Sequence, residues 1–169
     1  MKNTFGFLII LLSLSCNSNS GSYAPLETVE VDVDKYVGKW YEIASFPNSF
    51  QEGCECTYAE YTKEDDHINV YNYCIQKGKV NDINGKAFSA GKGKLKVQFF
   101  WPFKGDYYVI DRGDNYEYAL VGAPSRNSLW ILSRTRQIDD KLYNRLVELA
   151  ESKGFDTSQL SKTPQSDCD

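Results

Sequence analysis

An all-β domain of eight antiparallel strands, with one helix packed outside the sheet, is the fold class this sequence predicts. Three observations predict it. Between Gly38 and Arg134 eight short runs rich in β-branched and aromatic residues follow one another, each bounded by Gly, Asp, Asn or Pro. The connections are shorter than the crossover of a dozen or more residues that parallel pairing needs, so neighbouring strands are antiparallel. One run with helical periodicity follows the last of them. Eight strands with one apolar face each can build a sandwich or an up-and-down barrel, and the residues by themselves leave both open.

The elements justify themselves in order. "KWYEIASF" stops at Pro47 and Asn48, and "CTYAEYT" runs into the charged turn "KEDDH". "INVYNYC" leads to "QKGKVNDING", and "INGKAFSA" supplies the fourth strand. "GKLKVQFF" alternates cleanly, with Leu95, Val97 and Phe99 on one face and Lys94, Lys96 and Gln98 on the other. "DYYVID", "YEYALVG" and "SLWILSR" complete the set. The helix is "IDDKLYNRLVELAESKG": a capping aspartate, an apolar stripe of Leu142, Leu146, Leu149 and Ala150, Lys153 in the last turn and Gly154 as the stop. Such a helix lies on the outside of the sheet. The tail "SKTPQSDCD" has no core-forming pattern, and Cys168 would tie it down.

Composition narrows the chemistry. With 169 residues the chain is long enough for one domain with a substantial core, and its formal charge of −4 offers no basic field for nucleic acid. His67 is the only histidine, in a polar turn, which removes His-based metal sites and Ser-His or Cys-His catalysis. No phosphate-binding glycine loop and no GxSxG occurs. "GKGK" at residues 91–94 is a turn with no helix after it, and Glu64, Asp65 and Asp66 read as solvated surface. No cofactor or metal is expected, and the expectation is a binding protein rather than an enzyme.

The N-terminus is organised for export. Lys2 is followed by an apolar run, Phe5 to Leu14, too short for the roughly 20 residues of a spanning helix. Residues 1–15 read as a signal peptide. "LSLSC" resembles the lipobox of bacterial lipoproteins, which implies that Cys16 carries lipid; Leu14 stands where that motif has a small residue. Residues 16–32 then form the lipidated cysteine and a flexible polar tether containing "NSNSGS", and the folded domain spans 33–169. Five cysteines is an odd number for an exported chain. With Cys16 acylated, Cys54, Cys56, Cys74 and Cys168 form an even set whose spacing allows three pairings.

Aromatic residues recur on alternating positions, mixed with Ala, Gly and Val, the composition of an apolar cavity with a few polar handles. Two segments carry a family resemblance. "GKWYEIASFPNSF" resembles the first lipocalin signature and "LWILSRT" the third, ending at Arg134. The similarity runs from about Val33 to Leu160 and is nearest to the bacterial outer-membrane lipoprotein branch and to apolipoprotein D. It selects the barrel, an eight-stranded up-and-down calyx with the C-terminal α-helix outside. It implies that Arg134 lies across Trp40 at the closed floor, where Gly38 keeps the backbone clear of any side chain. It implies the pairing Cys56 with Cys168, leaving Cys54 with Cys74. The second signature departs from the pattern, reading "DRGDNY" at residues 111–116.

Strand phase together with the resemblance places Ala44, Tyr61, Val70 and Asn72 inside the barrel, with Gly85 and Ala87, Val97 and Phe99, Tyr107 and Val109, and Trp130 and Leu132. "FFWPF", residues 99–103, falls at the open mouth, as a rim that meets lipid or a partner or as packing over the cavity. The resemblance implies a non-enzymatic binder of a fatty acid or lysophospholipid, chain inward, held at the bacterial cell envelope as an outer-membrane lipoprotein, on its periplasmic side or surface. Tyr107 and Asn72 would orient the ligand. Alternatives are a rigid ligand (a bilin, haem or retinoid), an enzyme using a free cavity thiol, and a structural lipoprotein with a filled barrel. Pairing of all four remaining cysteines argues against the thiol enzyme. Oligomeric state is left open, a homodimer included.

Overall fold

Nine strands, two α-helices and one 3-10 turn make up the computed structural model, which describes residues 23–166 and 168. The expected signal peptide and the expected lipidation site at Cys16 lie outside the described residues. Helix α1 (Val33–Tyr36) precedes strands β1 (Gly38–Ser45), β2 (Cys54–Lys63), β3 (Ile68–Gln76), β4 (Lys79–Ser89), β5 (Lys94–Gln98), β6 (Gly105–Arg112), β7 (Tyr118–Gly122) and β8 (Leu129–Ser133). Helix α2 (Asp140–Ser152), the 3-10 turn (Thr157–Gln159) and the short β9 (Ser161–Lys162) follow. The strand runs expected from sequence are these eight strands. Helix α1 and β9 carry no periodic signal long enough to be read from sequence.

Each strand pairs antiparallel with the next, and β1 pairs with both β8 and β2, so the sheet closes on itself. Closure removes the unpaired edges that an open sheet would expose. Alternate hairpins lie at opposite ends of such a barrel. The β1–β2, β3–β4, β5–β6 and β7–β8 connections form one end, the mouth. The opposite end, the floor, is covered by α1.

Two apolar clusters divide along the two faces of the sheet. One fills the barrel around Trp40, Val70, Val109, Ala119 and Val121. The other packs the outer face, including Leu120, Leu129 and Ile131, against Leu146 and Ala150 of α2 and against Phe155. Asp139 caps α2, its carboxylate accepting from the Leu142 N–H at 2.7 Å, and Gly154 ends it at φ +87°. Lys153 is the C-cap rather than a last-turn residue.

The polar tether ends earlier than expected. Residues 24–32 belong to the folded body: Leu26 is buried in the outer cluster, and the Val29 N–H donates to the Val109 carbonyl at 3.0 Å. Apolar Leu26, Val29, Val31 and Val33 alternate with polar residues through this segment, a strand-like pattern masked by its charges. The C-terminal tail is also built in. Above Tyr41, β1 exchanges its partner β2 for β9, and Gln165 bridges the gap by donating to the carbonyls of Glu42 (2.9 Å) and Thr57 (2.7 Å). The Cys56 N–H donates to the Pro164 carbonyl at 2.8 Å, and disulfides join Cys56 to Cys168 and Cys54 to Cys74.

Candidate ligand-binding site

The floor is built around one indole. Trp40 is fully buried, and its N–H donates to the Tyr36 carbonyl at 2.7 Å, which satisfies the single polar group of the ring. The Arg134 guanidinium lies over the indole face, 3.8 Å from the centroid. Its Nη2 donates to the carbonyls of Lys35 (2.8 Å), Tyr36 (3.1 Å) and Val37 (3.0 Å), its Nη1 to Lys39 (2.8 Å), and its Nε to Tyr116 (3.2 Å). The end of a helix leaves carbonyls without intrahelical partners, and Arg134 supplies donors to those of α1. Burial lowers the Arg134 pKa from its ordinary value, yet a guanidinium remains charged at neutral pH. Gly38 sits at φ +93°, and a Cβ there would stand 3.4 Å from Arg134 Nη1. A side chain at this position would be strained by the backbone as well as crowded.

Above the floor three phenols meet. The Tyr61 hydroxyl donates to Tyr107 at 3.0 Å, and the Tyr36 and Tyr107 hydroxyls share a bond of 2.8 Å. Three O–H groups and two mutual bonds leave one proton to donate, which a ligand oxygen could accept. Burial raises all three phenol pKa values, Tyr61 to about 12 and Tyr36 and Tyr107 also well above the ordinary value. The three phenols are therefore neutral at physiological pH, above the charged Arg134. The Tyr107 ring also faces Trp130, centroids 6.4 Å apart and planes inclined by 25°.

Burial varies along the barrel wall. Trp40, Val70, Ala87, Val109, Ala119 and Val121 are buried, whereas the inward-facing Leu95, Val97, Phe99, Tyr107 and Trp130 are half-buried. An apolar inner wall sealed at its floor and only partly buried elsewhere has the form of a calyx for one small ligand.

Of the residues expected inside, Tyr61, Val70, Val97, Phe99, Tyr107, Val109, Trp130 and Leu132 all belong to the interior cluster. Asn72 is half-buried and in phase with Val70, paired across the sheet with Ala59 and Ile83. Gly85 lets Phe99 lie against the β4 backbone, since a Cβ there would come within 2.6 Å of the ring. Ala44 is a correction. It belongs to the outer cluster beneath α2. The β1–β8 register shifts between Glu42 and Ala44, so Glu42 pairs with Leu132 but Ala44 pairs with outward-facing Ile131. A one-residue bulge inverts the side-chain alternation beyond it, and strict strand phase misplaces everything after it. Sequence reasoning also missed Tyr36, Tyr116 and Leu95. Leu95 was visible in its alternating run. Tyr36 lies outside the strands, where no period marks it; Tyr116 opens the run "YEYALVG" but precedes β7 at φ +60°, so strand phase does not place it.

A family model described as a lipocalin-like domain matches residues 31–165. The chain is a lipocalin. Over 151 residues it is 45% identical to temperature-induced lipocalin-1 of Arabidopsis thaliana, covering 81% of each chain. Identity to the outer membrane lipoprotein Blc of Vibrio cholerae is 37%, over 95% of this chain and 96% of that one. Identity to apolipoprotein D of Macaca fascicularis is 34%, over 81% and 78%. The fold of this lipocalin also superimposes on insecticyanin from Manduca sexta with a TM-score of 0.70 at 21% identity, covering 86% and 87%. Lipocalins bind small hydrophobic molecules and are binding proteins rather than enzymes. The bacterial and apolipoprotein D likenesses agree with the resemblance read from the signatures, whereas the plant relative was not anticipated there. Among the described residues no helix is long and apolar enough to cross a membrane, and no cluster of three metal-binding side chains occurs.

Proposed function

We propose that this lipocalin is a membrane-anchored carrier of a fatty acid or lysophospholipid, held at a bacterial outer membrane through acylated Cys16. The observation that carries the reading is a barrel whose floor is sealed by Trp40 and whose apolar inner wall is only half-buried at Val97, Phe99 and Trp130. An alkyl chain entering there gains roughly 0.8 kcal/mol per CH₂ buried. The phenol cluster and Asn72 supply the polar groups that position the ligand. The name of the Vibrio cholerae relative, an outer membrane lipoprotein, supports the anchor and its location, together with "LSLSC" at residues 12–16. Its biological use would be storage, transport or scavenging of membrane lipids.

The test is native mass spectrometry of residues 22–169 purified from an expression host, followed by lipid extraction. A mixed population of fatty acids or lysophospholipids that added oleate displaces is the expected result. A coloured protein carrying bilin, haem or a retinoid would replace this reading with a rigid ligand. A bare protein that takes up none of these would leave a structural lipoprotein. Sedimentation of the same sample reports whether a homodimer forms.

A further inference from the structure

Five large apolar side chains stand in solvent at one end of the molecule. Phe50 on the β1–β2 loop is 75% exposed and Val80 at the β3–β4 turn 60%. On the β5–β6 loop, Phe100 is 57%, Trp101 86% and Phe103 75% exposed. These three connections share the mouth. Lys77, Lys79 and Lys104 are exposed on the same turns. Exposed aromatics clustered at one end, with lysines beside them, match the layering of a membrane interface, where indoles sit at headgroup level and long cations reach the phosphates.

The entry point of the chain supplies an independent argument. Arg126, on the β7–β8 loop at the mouth, donates to the Ala24 carbonyl at 2.8 Å and to the Lys153 carbonyl at 3.0 Å. Tyr23 rests against Gly154 at the mouth-side end of α2, 3.2 Å from where a Cβ would stand. Tyr23, the first described residue, therefore stands at the mouth. Seven peptide steps from Cys16 to Tyr23 reach at most about 25 Å. A membrane-held Cys16 would thus keep the mouth within about 25 Å of the bilayer.

We propose that the mouth docks onto a lipid bilayer, with Trp101, Phe100 and Phe103 entering the headgroup region and the barrel opening toward the membrane. The tether argument rests on the anchored reading above; the exposed rim does not. Docked this way, a lipid would pass between bilayer and calyx without crossing water.

The test uses the full chain on vesicles of phosphatidylcholine brominated along its acyl chains, with flotation to read association and tryptophan quenching to read contact. The chain has three tryptophans, and Trp40 and Trp130 lie inside the barrel. Expected is flotation with strong quenching that falls at least twofold in Trp101→Ser, while the variant still floats. Phe100→Ser with Phe103→Ser retains the reporter and is expected to lower its quenching and raise its accessibility to acrylamide. Flotation with equal quenching in wild type and Trp101→Ser overturns docking and leaves the anchor standing; the quenched group would then be Trp130, reached by lipid inside the calyx. Failure to float overturns both readings. Shielding of Trp101 that rises with protein concentration in the absence of vesicles overturns docking in favour of a mouth-to-mouth dimer.

Discussion

Arg134 concentrates several roles in one side chain: it covers the Trp40 indole and donates to carbonyls of Lys35, Tyr36, Val37, Lys39 and Tyr116. A lysine has no planar fork and cannot address all of these acceptors at once. Arg134→Lys is expected to lower stability by about 2 kcal/mol, through carbonyls left without donors, as measured by urea unfolding. The phenol cluster makes a second prediction at this scale. Unfolded phenols titrate near 10, while burial raises those of Tyr36, Tyr61 and Tyr107, Tyr61 to about 12. Below pH 10 all are protonated in both states and stability is flat in their titration. Above it the unfolded chain releases protons that the folded chain retains, so stability falls as pH climbs from 10 through 12 and beyond. Exposed tyrosines should titrate first with the fold intact, and the last step in tyrosinate absorbance should coincide with loss of near-UV circular dichroism; complete titration of all twelve tyrosines with the fold intact would contradict the burial argument. Tyr107 was legible in the sequence because it sits in a strand of known phase. Its partner Tyr36 was not, since a four-residue helix leaves no periodic trace.

Strands carry most of what the sequence makes readable, and their irregularities mark where reading stops. Leu95, Val97 and Phe99 alternate in the sequence and face inward together. Ala44 fails only because Ile43 is inserted into the β1–β8 register, and nothing local distinguishes that residue from a regular strand position. Segments flanking the barrel behave similarly. The stretch from Leu26 to Val31 is held beside the β4–β5 turn, where a Cβ on Gly93 would stand 2.2 Å from the Val29 carbonyl oxygen, with φ at +60°. Gly93→Ala is expected to release this segment, raising amide exchange at Val29 about tenfold or more while the β2–β3 core remains protected. The tail is held by Cys56–Cys168, which closes a separation of 112 residues against 20 for Cys54–Cys74. Chain entropy then makes the longer crosslink worth about 1.5 kcal/mol more. Cys56→Ser with Cys168→Ser is expected to lower the denaturation midpoint more than Cys54→Ser with Cys74→Ser. Equal losses would show that the tail contributes through Gln165 rather than through the bond.

Taken as a whole, the molecule is a barrel sealed at its floor, and a ligand bound inside it would add to its stability. A carrier with the proposed site is expected to melt at higher temperature with bound fatty acid: ligand at one hundred times its Kd adds about 2.7 kcal/mol, a shift of several degrees for a domain of this size. Thermal unfolding with oleate or lysophospholipid checks this, and an unmoved transition with both would indicate a filled barrel. By itself the sequence determined the all-β class, the eight strands, the helix with its capping aspartate and Gly154 stop, and the shared face of Leu95, Val97 and Phe99. These rest on period, turn chemistry and capping, all of which act over a few residues. Its likeness to lipocalins supplied the barrel, the Trp40–Arg134 floor and the disulfide pairing. Only the tertiary structure decided that Ala44 faces α2, that Tyr36 completes a phenol cluster with Tyr61 and Tyr107, that residues 24–32 and the tail belong to the body, and that Phe100, Trp101 and Phe103 stand in solvent beside the entering chain. Each depends on contacts between residues far apart in sequence, set by register and closure of the sheet, and no local pattern encodes which distant segment will arrive.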